Sequence, residues 1–214
     1  MGVHTVPLIE WGVATVTLAG ETESGDLHVV QPVGAGVLVG VVDGLGHGAE
    51  AAAAARAAVA TLRAHAGEAV LPLLQRCHRA LVGTRGVVMS LAFFQGGDGS
   101  MTWIGVGNVE CVLLYTDPAA RPARPARPAR TSLVTRGGIV GSQLPQLRAE
   151  VISLAPGDTL LVATDGIRDG FADGLSTETP PQQLADQILA RCGKGTDDAL
   201  VLVARYLGGT GAGG

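Results

Sequence analysis

Two apolar runs in this chain end in the same way. Val37-Leu-Val-Gly-Val-Val42 stops at Asp43-Gly44, and Leu160-Leu-Val-Ala163 passes through Thr164 to Asp165-Gly166. Short runs dominated by Val and Leu read as buried strands. An Asp-Gly at the end of such a strand sets an acidic side chain at the lip of a sheet, and the glycine lets other backbone come close. Asp26 in Ser24-Gly25-Asp26 has a similar setting, and so does Asp197-Asp198 just ahead of the apolar run 199–206. Any one Asp-Gly is ordinarily a turn. Four aspartate sites of this kind weigh against four unrelated turns: if their strand ends meet along one edge, they gather a cluster of carboxylates.

The rest of the chain has to bring those ends together. Residues 3–18 alternate apolar and polar and read as one or two strands, with Pro7 at an edge or a break. A polar loop follows at 21–26, and the strand leading into Asp43 spans 36–42. Helices are expected over 49–66 and 68–82. The second carries Val70, Leu73, Leu74, Cys77 and Leu81 at helical spacing, and the first is alanine-rich enough to lie close against a sheet. Strands return at 86–95, 100–106 and 110–115, with turn signals at 96–99 and at Gly107-Asn108, as in a meander of hairpins. After a glycine-rich loop at 136–141 come strands at 149–154 and 158–164, a helix over 181–191 with proline in its first turn, and a last strand at 199–206. A further strand is expected at 131–135. Between Pro118 and Arg130, Arg-Pro-Ala repeats three times before a closing Arg. Proline at every third position suits an exposed polyproline II insertion. Strands that bracket a central pair of helices make this an α+β chain. The economical architecture is a two-sheet sandwich with helices outside, one domain over 1–208 and a frayed glycine-rich tail at 209–214.

Composition narrows the function. The 32 glycines fit a β-rich domain with close backbone contacts, and the net charge of −4 argues against nucleic acid as a partner. The four arginines of the insertion could give an electrostatic footprint for an acidic partner, but no aromatic is interleaved, and a solvated loop is the plainer reading. Cys77, Cys111 and Cys192 are odd in number and far apart, which points to reduced thiols in a cytoplasmic protein and not to a disulfide framework or a zinc site. No signal peptide or membrane span is expected. Carboxylates that crowd together without basic neighbours are costly, and divalent cations with oxygen ligands relieve them. That favours Mg²⁺ or Mn²⁺ over zinc.

Ser24-Gly25-Asp26, Asp43-Gly-Leu-Gly-His-Gly48, Gly107-Asn108, Gly137-Gly-Ile-Val-Gly141, Ala163-Thr-Asp-Gly166 and Asp197-Asp198 resemble, in order and spacing, the metal-dependent PPM-type protein phosphatases, most of all their SpoIIE/RsbX-like branch. The resemblance spans nearly the whole chain. It implies two stacked antiparallel β-sheets flanked by helices, and a site of two divalent cations that activates water to hydrolyse phosphoserine or phosphothreonine. Asp43 would bridge both cations, the Gly44 carbonyl would reach one, and Asp165 and Asp197 would complete the ligand set. Asp26 would hold a water beside them, and Asp198 is a ligand or a neighbour. His47, two positions beyond the site of the histidine found in eukaryotic members, either shapes its loop by a hydrogen bond or moves a proton. Arg136 and Arg168 are the candidates for gripping the substrate phosphate. The implied partners are phosphorylated STAS-domain proteins of the stressosome, RsbS-like or RsbR-like, with an RsbV-like or SpoIIAA-like anti-anti-sigma factor as the alternative substrate. A monomer is expected. A binding module that kept the fold and lost activity is the contrasting class, and the presence of Asp43, Asp165 and Asp197 speaks against it.

Overall fold

The computed structural model describes residues 7–116 and 129–208; the Arg-Pro-Ala segment and the glycine-rich tail lie almost wholly outside them. Among the described residues ten strands form two antiparallel sheets. One sheet has the order β1 (Ile9–Val16), β10 (Ala199–Tyr206), β9 (Thr159–Ala163), β6 (Glu110–Leu114), β7 (Arg130–Leu133). The other runs β2 (Asp26–Val33), β3 (Gly36–Gly44), β4 (Val87–Phe94), β5 (Ser100–Val106), β8 (Glu150–Ser153). Helices α1 (Gly48–Ala64) and α2 (Val70–Ala80) cover the second sheet, and α3 (Pro181–Cys192) covers the first.

Period-two alternation sorts β3 between layers. Val37, Val39 and Val41 enter the core between the sheets, where they meet Trp103, Leu113, Leu160 and Leu202, while Leu38 and Val42 turn to the helix layer. In that layer Ala54, Ala55 and Ala58 let α1 settle close to the sheet, and Leu73, Leu74 and Cys77 of α2 complete the packing. Leu184, Ala185 and Ile188 of α3 do the same for the first sheet against Val201 and Val203. At the open edge of that sheet Gln182 closes the ladder: its Oε1 accepts from Val13 N (3.1 Å) and its Nε2 donates to Val13 O (2.9 Å).

Two features depart from the sequence reading. Strand β2 carried no clear signal, since only Asp26 and Val29 of its eight residues are buried and Pro32 interrupts it. Its position at the edge of its sheet explains why proline is tolerated there. The expected meander also breaks after β5. Strands β4 and β5 pair, but β6 crosses to the other sheet and pairs with β9 and β7. Gly107-Asn108 is therefore a crossing between sheets and not a hairpin turn. Gly107 has φ +90°, and a Cβ there would lie 2.1 Å from Val88 Cγ1, so only glycine fits without strain.

Candidate active site

The strand ends meet as the aspartate pattern requires. Antiparallel register sets Asp26 opposite Asp43 on β2 and β3. Asp165 follows β9, and Asp197-Asp198 precede β10, in the facing sheet. Thr164 ties the two sheets at this point: its Oγ1 donates to Asp26 Oδ2 at 2.7 Å and accepts from Leu200 N at 2.9 Å. The glycines of both Asp-Gly pairs are required by close approach. A Cβ on Gly44 would come within 2.3 Å of Ala51 O, and one on Gly166 within 1.9 Å of Asp198 O.

Asp43, Asp165 and Asp197 line one cleft of about 270 Å³ together with Leu45, Gly46, Asn108 and Ile139, and among the described residues no basic side chain lines it. Two of the three carboxylates are tethered. Asp165 Oδ2 accepts from Asn108 Nδ2 at 2.8 Å, and Asp197 Oδ1 accepts from Asp198 N at 2.8 Å. Asp43 takes no hydrogen bond among the described residues. Burial first, then the charges of Asp26, Asp165, Asp197 and Asp198, push its carboxyl up to about 8. Asp26 is pushed up to about 7, again chiefly by burial, against the lowering effect of the Thr164 hydroxyl. The donor set is oxygen-only and its charge is unneutralised, the chemistry that suits a hard divalent cation. Among the described residues no three His, Cys, Asp or Glu side chains converge into a ready cage; the carboxylates share a cleft instead.

Asp198 is buried and set apart from that cleft. Its Oδ1 accepts from Leu18 N and its Oδ2 from Gly25 N, both at 2.7 Å, so it anchors the loop that carries Asp26. Asp198→Asn keeps only one acceptor oxygen and should destabilise the fold by about 1–3 kcal/mol, because one buried N–H loses its partner. Urea unfolding measures this, and an unchanged midpoint would show that the anchor is dispensable.

His47 has a partner that its sequence position did not reveal. Its Nδ1 lies 2.6 Å from Glu21 Oε1, which joins the Asp43–Gly48 loop to the loop after β1 and matches the loop-shaping role. Arg168 Nη2 donates to Gly193 O, and the Arg136 side chain lines a different cleft, so neither candidate arginine faces the carboxylates. The cations at the rim are two others. Arg85, held by Glu50 through Nε at 2.5 Å, brings Nη1 within 2.7 Å of where a Cβ on Gly46 would sit. Lys194, the only lysine in the chain, donates Nζ to the Asp165 carbonyl at 2.5 Å. Thr164, Asn108, Arg85 and Lys194 all act through long-range contacts that no local spacing encodes.

The family described as Stage II sporulation protein E (SpoIIE) matches residues 34–207. No curated protein matches the chain. Among solved structures, one from work on the bacterial stressosome as a modular system adapted to control secondary messenger signalling shares 30% identity. It covers 92% of this chain and 99% of its own, with a TM-score of 0.80. RsbX, solved in complex with magnesium, is 19% identical over 92% of this chain and 95% of its own, with a TM-score of 0.77. The PP2C phosphatase domain and regulatory fragment of SpoIIE from Bacillus subtilis is 20% identical, covering 94% of this chain and 64% of its own, with a TM-score of 0.73. The latter two likenesses bear on the fold, which they share with the two antiparallel sheets described above. With the family pattern running from the turn before β3 to the end of β10, the chain belongs to the SpoIIE family of PPM-type protein serine/threonine phosphatases.

Proposed function

We propose that the chain dephosphorylates STAS-domain proteins of the stressosome, of the RsbS and RsbR type, with the help of two divalent cations, Mn²⁺ or Mg²⁺. The observation that carries the hydrolytic reading is the cleft in which Asp43, Asp165 and Asp197 face one another with no basic side chain among them. The likeness, along nearly the whole length of both chains, to a structure from work on the bacterial stressosome supports the substrate class. Three free, buried thiols accord with a reducing cytoplasm.

Asp43, Asp165 and Asp197 would hold the cations, with the Gly44 carbonyl as a further ligand. Bound there, the cations supply a water of lowered pKa and neutralise phosphoryl oxygens. The chain's own groups do the rest. Asn108 fixes one oxygen of Asp165, which leaves the other free for the cleft. Asp26, oriented by Thr164, stands beside Asp43 as a proton acceptor. Asp198 pins the backbone on which Asp26 is mounted, and acts as an anchor instead of a ligand. Arg85 and Lys194 flank the mouth and offer N–H donors to a phosphate that enters it.

The test is phosphate release from purified phosphorylated STAS proteins with Mn²⁺, with Mg²⁺ and with a chelator. Release should require the cation, and Arg85→Ala should raise KM more than it lowers kcat. Hydrolysis that persists in chelator would overturn the metal reading. Turnover of unrelated phosphoproteins with none of STAS substrates would overturn the substrate reading alone.

A further inference from the structure

We propose that the cleft between Arg136 and Arg148 docks acidic residues of the phosphoprotein substrate, two to four positions away from the phosphorylated side chain. The proposal rests on the carboxylate cleft being the hydrolytic centre.

The two arginines line a second cleft of about 440 Å³, with Thr135, Pro145 and Glu150 in its walls. Both are exposed, and among the described residues neither guanidinium has an ion pair or a hydrogen bond. Most of the other described arginines are committed. Arg56, Arg76, Arg85, Arg130 and Arg205 pair with carboxylates, and Arg168 and Arg191 donate to backbone carbonyls. Glu150 shares the cleft but forms no ion pair with either arginine. Two uncommitted guanidinium groups in one concavity reverse the local sign of a chain whose net charge is −4. Guanidinium forks match carboxylates and phosphates in a bidentate way; with the substrate phosphate seated in the aspartate cleft, the anion left to these arginines is a carboxylate. Val134, which is 75% exposed, adds an apolar wall for the chain that carries the carboxylate.

A single loop joins this cleft to the hydrolytic one. Arg136 bridges Val106, its carbonyl accepts from Gly107 N at 2.8 Å, and the next residue, Asn108, holds Asp165. Beyond Arg136 the loop doubles back. Ile139 N donates to Gln143 O at 2.8 Å, and Gly138 packs so closely on Pro145 that a Cβ would lie 2.6 Å from its ring. Ile139 thereby lines the carboxylate cleft while Arg136 and Pro145 line the arginine cleft. Arg136 and Ile139 are three residues apart, so their Cα atoms can be separated by at most about 10 Å. An extended peptide advances about 3.3 Å per residue. A phosphate seated among the aspartates therefore carries residues two to four positions away into reach of the arginines.

The experiment uses phosphoserine peptides with three Asp residues at those positions on either side, matched peptides with Ala there, and p-nitrophenyl phosphate as a small ester. In the wild type the acidic peptides of one side should exceed the neutral ones in kcat/KM by about tenfold, mainly through KM. The preference should shrink as salt is raised. Arg148→Glu and Arg136→Ala should each erase it while p-nitrophenyl phosphate is turned over as before; the main-chain bonds of Arg136 survive the substitution. Equal turnover of acidic and neutral peptides by the wild type, or a preference that survives both variants, would overturn the docking site alone. Failure to hydrolyse any of the substrates would overturn the hydrolytic reading as well.

Discussion

Asp43→Asn should lower kcat/KM toward a phosphorylated STAS protein by about 10³ and, in chelator, leave the protein at least as stable as the wild type. The two effects have one cause. Asp43 is half-buried, takes no hydrogen bond among the described residues, and is crowded by four other aspartates, which is why its carboxyl is pushed up to about 8. Its negative charge is a liability to the fold and an asset only to a cation. Asn keeps the shape and removes the charge, so the ligand is lost while the repulsion is relieved. An essential structural residue would behave differently, as the contrast with Asp198 makes plain: there the carboxylate accepts two backbone N–H groups and the fold depends on it. The readouts are steady-state hydrolysis and thermal unfolding with and without EDTA. A variant that retains a tenth of wild-type activity, or melts several degrees lower in EDTA, would show that Asp43 serves the scaffold and not the cations.

The parts of this site that were legible in the sequence are those that strands write locally. An apolar run that ends in Asp-Gly announces a buried strand with an acidic lip, and Asp43 and Asp165 both came from that pattern. Their convergence could be inferred only jointly, from Asp26 and Asp197 in similar settings. The sandwich with outer helices also followed from element order. What could not be read is of two kinds. Edge strand β2 buries too few side chains to show a period, because one of its edges is unpaired and most of its side chains are only partly covered. The crossing at Gly107-Asn108 looks like any hairpin turn until β6 is seen to pair with β9, 45 or more residues later in the chain. The second kind is contact across the sheets. Thr164 on Asp26, Lys194 on the Asp165 carbonyl and Arg85 over Gly46 depend on how the layers stack, so the sequence offered only Arg136 and Arg168 as candidates for the phosphate-gripping arginine.

Between about pH 5 and pH 8 the metal-free protein should lose stability as pH rises, and Mg²⁺ or Mn²⁺ should restore it most at the alkaline end. Asp26 and Asp43 have carboxyls raised from 3.8 to about 7 and about 8 in the folded state. In that window the folded chain keeps protons that the unfolded chain has already released, so unfolding stability falls with pH. The stabilisation is complete below about pH 4 and gone above about pH 8. His28 acts in the opposite sense, because burial lowers its pKa from 6.5, but its contribution has levelled off by about pH 7. The interval from pH 7 to pH 8 therefore isolates the aspartates. A cation binds the ionised carboxylates and displaces their protons, so its stabilising effect must grow with pH at fixed concentration. Urea unfolding at pH 5, 6.5 and 8, in EDTA and in excess Mg²⁺, measures both slopes. A midpoint in EDTA that climbs from pH 7 to pH 8, or a Mg²⁺ shift of the same size at every pH, would contradict the linkage. Asp43→Asn closes the argument, since it should flatten the EDTA slope and remove most of the Mg²⁺ shift together, an outcome expected only if the group that holds the proton is the one that holds the cation.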